Sequence, residues 1–492
     1  MGRKKIFKIF LVHLFLLVGN LFLSYPHDAV DSIYVSILDI TKLALKNNLD
    51  IQIAKFDAYI ERNSLLEAES IFDTFFNAQI DYTKNKLDTA SVLLGTTSLT
   101  NDYSLGITKK NPFGTTLTLN AYNRRIWSNS SFYSLNPNTE ANVEISLAQS
   151  LVKNFFGFSD RANIKITKIN IANSDFSSLD SIEFSLSIVQ KAYWEFVFRY
   201  KQWQIKKDML KEAQNLYEIY KRKIKIGLVE KPDLLAAEAN VLLRKNDVLN
   251  AEMLFKEAKN NLLYLLNITD VDKNILPLDS LDTTTENFNL YEQLKVAINK
   301  RRDYKIIKNQ ISASHLDMVL KRNALWPEVD LNVSFIKNGI DLNYKDAWRE
   351  VSSESNYSWS VGVKVNFPLE RRKEKADYNK AKLNEAKLLL LLKKTERIIF
   401  KEINDSITEV NILASRIKTL RNIVELQKRK LSAEETRLRY GRSSSDILIR
   451  YQNDVLNSRL LLTEMLFSYR IALVELARKK NTLLSQYWKG EL

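Results

Sequence analysis

Four long stretches of this 492-residue chain place an apolar residue at every seventh position, and no proline interrupts any of them. The first runs Ile182, Val189, Phe196, Trp203, Leu210, Tyr217, Ile224, and the second Leu234, Val241, Val248, Phe255, Leu262. The third passes from Ile403 through Val410, Ile417, Val424 and Leu431 to Leu438. The fourth passes from Leu448 through Val455, Leu462, Tyr469 and Leu476 to Leu483. A strict period of seven makes helices pack along a seam at about 3.5 residues per turn, as coiled coils do. The alternate seam positions of the first run turn polar toward its end, at Lys207, Gln214 and Lys221, and those of the third at Arg421 and Lys428. Packing is expected to weaken, or to face water, in that direction.

Short breaks join the runs in pairs: IGLVEKPDLL (Ile226 to Leu235) and YGRSSSDILI (Tyr440 to Ile449). Gly227 and Gly441 stand where a helix ends, a place where glycine adopts positive φ at little cost. An Asp then precedes each new apolar run as a candidate cap, and Pro232 stands where a helix has no use for an N–H. Both breaks predict tight turns between antiparallel helices. The helices entering them can begin near residues 160 and 372, so each would reach roughly 100 Å, with returns about half as long. Each long helix therefore needs a second partner for its other half.

That partner is expected upstream. LALKNNLDIQIAK (Leu43 to Lys55) aligns with VAINKRRDYKIIK (Val296 to Lys308) at an offset of 253, and Gly227 falls on Gly441 at an offset of 214. The chain reads as a tandem duplication, each half running helix, strands, long helix, turn, short helix. The first repeat spans 31–266, with strands over about 75–150, a long helix over about 160–226, a turn at 227–233 and a return helix at 234–266. A linker at 267–294 follows. The second repeat spans 295–492, with strands over about 329–368, a long helix over about 372–439, a turn at 440–446, a return helix at 447–485 and a tail.

The strands alternate. Phe76, Ala78, Ile80 and Tyr82 face one way and Asn77, Gln79 and Asp81 the other; Leu331, Val333, Phe335 and Val361, Val363, Val365 repeat the pattern. Such strands suit a transmembrane barrel wall or a half-buried soluble sheet. Trp127, Trp326, Trp348 and Trp359 fall in these regions, as an interfacial belt would require. Two strands per repeat make four per chain, too few to close. Lipid does not tolerate open edges, so the chain must oligomerise or keep the strands out of the membrane. An extra hairpin over 103–123, turning at Asn111-Pro-Phe-Gly114, has no counterpart in the second repeat and no assigned place.

The expected fold class is mainly α, with a β-barrel part. No cysteine is present, which excludes disulfides, thiolate metal sites and cysteine nucleophiles. With three His, and without P-loop, G-x-S-x-G or H-E-x-x-H motifs, an enzyme and a cofactor are not expected. The net charge is +15, but Lys and Arg are spread along helices rather than clustered with aromatics, so nucleic acid is not an expected partner. The basic opening MGRKKIFK before the apolar stretch Ile9 to Leu23 reads as a secretory signal over 1–24, cleaved somewhere between 24 and 30.

ALKNN at Ala44 to Asn48, SLAQSLVKNFFG from Ser146, NFPL at Asn366 to Leu369 and the paired G…D turns are each short. In this order, and on a duplicated frame, they make the chain from about residue 35 to 485 resemble the TolC-type outer-membrane efflux protein family. The resemblance implies a homotrimer in the cell outer membrane, three chains giving four strands each to a twelve-stranded barrel. Below it would stand an α-helical tunnel crossing the periplasm, with an equatorial region at 267–294 and the chain ends. The two turns would form the periplasmic tip, opening like an iris and meeting the adaptor (membrane fusion) protein of an inner-membrane pump.

On the family's pattern Gly227, Leu228 and Val229 are adaptor-docking positions, Gly441 is their repeat partner, and Asp233 helps tie neighbouring helices in the closed state. The second turn departs from that pattern, being one residue short between Gly441 and Asp446. Asp446 matches the first of two gate aspartates, and the second falls on Ile449, followed by Arg450. The family's tip arginine falls on Ser443, beside Arg442. The implied function is a passive exit duct for drugs or other small molecules. Because this chain has Ile449 in place of the second aspartate and Arg442 and Arg450 close by, weak or no cation selectivity is expected at its gate. The alternatives are an exit duct for type I protein secretion and, in a different class, a secreted coiled-coil structural or adhesion protein.

Overall fold

The computed structural model describes residues 33–487 except 90–92, 94, 227–228, 271–274, 283 and 441. The signal expected at 1–24 and the last five residues of the tail lie outside the described residues. The chain begins with strand β1 (Ile33–Val35) and helices α1 (Ile37–Asn47) and α2 (Leu49–Glu69). Strands β2 (Thr74–Asn85), β3 (Ser98–Lys110), β4 (Thr115–Ser128) and β5 (Asn138–Ser150) follow. The 68-residue helix α3 (Phe158–Lys225) then leads to its 35-residue return, α4 (Lys231–Leu265). After strand β6 (Ile275–Pro277) the pattern restarts with α5 (Leu290–Lys300) and α6 (Arg302–Asn323). Strand β7 (Glu328–Asp341), helix α7 (Tyr344–Ser353) and strand β8 (Tyr357–Asn366) come next. The 68-residue α8 (Arg372–Arg439), the 35-residue α9 (Ser445–Lys479) and the short α10 (Leu483–Tyr487) complete the chain.

The duplication is visible in the element bounds. Both long helices and both returns begin and end 214 residues apart, and α1 and α5 lie 253 apart. The ALKNN stretch is the corner between α1 and α2. Asn48 Oδ1 accepts the Ile51 amide at 3.0 Å, capping α2, while its Nδ2 donates to the Leu265 carbonyl at 2.7 Å and so holds the end of α4.

Each long helix has the two partners its length demands. Along α3 these are α2, linked by Arg62 to Asp175, and α4, linked by Lys206 to Asp247 at 3.3 Å and by Phe196 stacked on Phe255. Along α8 they are α6 and α9, the latter tied by Lys430 to Asp454 at 2.8 Å. The heptad seams hold in α8 and α9, where Ile403, Val410, Ile417, Val424, Val455 and Tyr469 are all buried. In α3 the seam holds only as far as Phe196. Beyond Trp203 the buried residues are Ile205, Met209, Ala213, Leu216 and Tyr220, and Trp203, Leu210 and Tyr217 are half-buried. A straight helix rotates about 20° per heptad against a strict seven-residue repeat. Beyond Trp203 the buried Ile205 and Met209 pack with Leu456 of α9, so the buried face turns toward that helix.

The linker closes the middle of the molecule. Strand β1 pairs parallel with β6, and the buried Tyr193 hydroxyl lies 2.9 Å from the Val35 carbonyl and 2.7 Å from the Asp279 carboxylate, which also accepts the Ile37 amide. Burial and the neighbouring Asp279 charge push the Tyr193 hydroxyl's pKa well up.

One antiparallel sheet runs in the order β2-β3-β4-β5-β7-β8. This corrects the expectation of four strands per chain: the hairpin over 103–123 is two further strands, β3 and β4, inserted between β2 and β5. Its turn is seated against the corner that leads from β5 into α3. Gly157, at φ 67°, begins that helix, and a Cβ there would stand 2.1 Å from the Pro112 carbonyl oxygen. Lys110 pairs with the buried Asp160 at 2.8 Å across the same contact.

The register sorts the sheet into two faces. Phe76, Ile107, Leu119, Ile145, Phe335 and Trp359 stand opposite one another across all six strands. The adjacent row, on the other face, is Asn77, Gly106, Asn120, Glu144, Ile336 and Ser358. Trp127 lies on the apolar face near the far end of β4, Trp348 on α7, and Trp326 just before β7. Helix α7 packs on β5 and β7 through Ala347 and Val351 against Ala141.

Candidate functional site

The helix turns carry the charges that sequence reasoning singled out. Gly227, Leu228 and Gly441 lie outside the described residues, but the chain on either side of them is described. The Arg442 amide donates to the Arg437 carbonyl at 2.9 Å, the six-to-one bond that satisfies the end of α8. Neither Asp acts as the cap it was expected to be. Residues Glu230 and Ser444 occupy the cap positions, without a side-chain bond, and Asp233 and Asp446 fall inside the first turns of α4 and α9. Carboxylates there still oppose the positive helix N-terminus.

Released from capping, Asp233 reaches across to the other repeat. The hydroxyl of Ser445, a residue only 3% exposed, donates to Asp233 Oδ1 at 2.6 Å. Tyr220 of α3 is buried beside them; burial pushes its hydroxyl pKa up, and the Asp233 charge adds to the shift. An apolar cluster of Leu216, Tyr220, Leu438 and Leu448 lies beneath, with Val229 and Ile449 packed against it. Val229 and Ile449, expected at the docking loop and the gate, thus both pack against this apolar centre.

Asp446 is 86% exposed at its side chain and pairs with Arg450 one turn on, at 3.2 Å. Arg442 is exposed on the turn. Ser443, at the position of the family's tip arginine, donates to Glu434 Oε1 at 2.6 Å, and the buried Glu434 also pairs with Arg437 at 3.3 Å. Farther from the turns, Arg459 of α9 pairs with Asp208 of α3 at 3.1 Å, and Arg244 of α4 bonds Asn453 of α9. The two repeats are thus joined side by side from the turns upward.

Sequence reasoning missed Ser445, Tyr220 and Glu434. The run Ser443-Ser444-Ser445 offers three equivalent caps, and only the packing of α3 against α9 selects the one that meets Asp233. Among the described residues no helix is long and apolar enough to cross a membrane. The two-faced sheet is a separate matter, since barrel walls alternate at every residue.

Residues 294–479 match the model of the family described as outer membrane efflux protein. That match covers most of the second repeat and less than half of the chain. No curated protein sequence matches. Among solved structures, CusC, described in connection with transmembrane channel formation, is similar with a TM-score of 0.68 at 14% identity, covering 93% of this chain and 95% of that one. The Campylobacter jejuni CmeC outer membrane channel is similar with a TM-score of 0.67 at 16% identity, covering 94% and 90%. The open state of the Neisseria gonorrhoeae MtrE outer membrane channel follows with 0.65 at 15%, covering 93% and 94%. At such identities the structural likeness establishes the fold, mostly helical with a sheet at one end, over nearly the whole length of each chain.

Proposed function

We propose that this chain is an outer membrane efflux protein, the exit duct of a tripartite export system. It would act as a homotrimer that passively conducts small molecules from an inner-membrane pump and its periplasmic adaptor to the cell exterior. The observation that carries this reading is the sheet: one face carries an apolar row across all six strands and the other is mainly polar, with every residue of both edge strands exposed in a single chain. A wall of that kind encloses water and faces lipid only when copies close it. In this reading the long helices stand beneath the wall as the periplasmic tunnel, and the turns at 226–230 and 440–444 form its far mouth. The family-model match over residues 294–479 and the fold shared with CmeC and MtrE support that placement. Single-channel recording of purified protein in a planar bilayer tests it. Discrete conductance steps are expected; their absence from correctly folded protein would sink the duct.

A further inference from the structure

We infer that the β3–β4 hairpin is part of the barrel wall, so that the closed trimer has eighteen strands rather than twelve; this rests on the duct reading above. Strand β2 leaves the helices and β8 returns to them, so the two free edges of one sheet run in opposite directions. A copy related by rotation therefore presents β8 to its neighbour's β2 as an antiparallel partner, and the contact closes head to tail. The edges are matched in length, at 12 and 10 residues, and every side chain on both is exposed. Their apolar residues, Ile80 and Tyr82 on one edge and Trp359 and Val361 on the other, continue the apolar face of the inner strands. The occupant of each edge is a second copy of this chain.

The hairpin is not an ornament on that wall. Strand β3 pairs with β2 along its full length, from Thr74 opposite Lys109 to Asn85 opposite Ser98, and β4 pairs with β5 from Thr115 to Ile126. Its turn is seated on the start of α3 by the Gly114–Gly157 approach and the Lys110–Asp160 pair. Barrel diameter grows roughly in proportion to strand number, so eighteen strands make a wall about one and a half times as wide as twelve. Each chain still supplies only four helical columns beneath it: α2 with α4, α3, α6 with α9, and α8. The barrel is then wider than the tunnel that feeds it, and cargo size is set at the helix turns.

The chain has no cysteine, so introduced pairs report cleanly. Asn77→Cys combined in turn with Ser358→Cys, Ser360→Cys or Gly362→Cys should give covalent trimers under mild oxidation in at least one combination. Ala78→Cys with Leu105→Cys should cross-link within one chain. Deleting residues 98–128 brings β2 beside β5 in antiparallel order and should leave a conducting trimer. Its cut-off radius for polyethylene glycols added on the extracellular side should be about two-thirds of the parent's. Equal cut-offs would overturn the inference, as would covalent trimers without the 78–105 cross-link. If the deletion does not assemble, the cross-links alone decide. Loss of channel and trimer together in the parent would instead overturn the duct reading.

Discussion

At the scale of single residues, the tie between the repeats rests on a short hydroxyl–carboxylate contact in a nearly dry site. Ser445→Ala would leave the half-buried Asp233 without its donor, at a cost of about 1–3 kcal/mol. Longer open times in single-channel records are the expected result, with the trimer intact; unchanged gating would remove this contact from the gate. Asp446 has its charge offset by Arg450, and Ile449 adds none, so the mouth should show weak cation selectivity. Reversal potentials in a salt gradient measure it, and strong cation preference would contradict this arrangement. Higher on α8, burial and then the nearby Glu212 carboxylate raise the pKa of Glu435, only partly opposed by Arg439. An acid with a raised folded-state pKa contributes stability that is complete below its unfolded value and lost as pH rises through the folded one. Glu435→Gln should therefore raise the melting temperature at pH 8 and change it little near pH 4. These contacts were only half legible beforehand. The spacing of Gly441, Asp446 and Ile449 located the turn, but nothing local distinguishes Ser445 from Ser444.

At the scale of elements, a heptad pattern says which helices pack and less about where each seam turns. Ile403 is fully buried on α8 and lies on a seam that holds its register, so Ile403→Ala should lower unfolding stability by about 2–5 kcal/mol. Denaturant melts of the trimer would measure this. The same truncation at Leu210, half-buried on the shifted stretch of α3, should cost less. The corner between α3, α6 and α10 is of another kind. Arg302 pairs with the fully buried Glu183 at 2.5 Å and with Asp180 at 2.9 Å, while Glu183 also accepts the Leu483 amide at 2.7 Å. Removing one partner strands a buried charge, so Arg302→Met should destabilise by about 3–5 kcal/mol, and adding Glu183→Gln should restore part of that. The sequence alignment at offset 253 sets Arg301 against Asn48, yet gives no hint that Arg302 finds its partners on α3, about 120 residues upstream.

At the scale of the whole molecule, the purified protein should behave as a trimer in detergent. Light scattering that showed a stable folded monomer would contradict the edge pairing, because a six-stranded open wall cannot face lipid alone. How much of this could be read from residues alone depends on how local the physics is. Helix length follows from uninterrupted apolar periodicity, and the duplicated frame from two constant offsets. Strand faces follow from alternation between Phe76 and Tyr82, since a pleat puts neighbouring side chains on opposite sides. Those features are carried by neighbours along the chain, and the sequence by itself determined them. The number of strands in the sheet was not of that kind. The hairpin over 103–123 carries a turn signal at Asn111-Pro-Phe-Gly114, but whether it stands apart or enters the wall depends on which strand pairs with β2. Tertiary structure decided that, through the close approach of Gly114 to Gly157 and a ladder running from β2 to β8. It also decided which serine meets Asp233 and which face of α3 is buried beyond Trp203, because each depends on a partner far away in sequence, whose position only the packed helices establish.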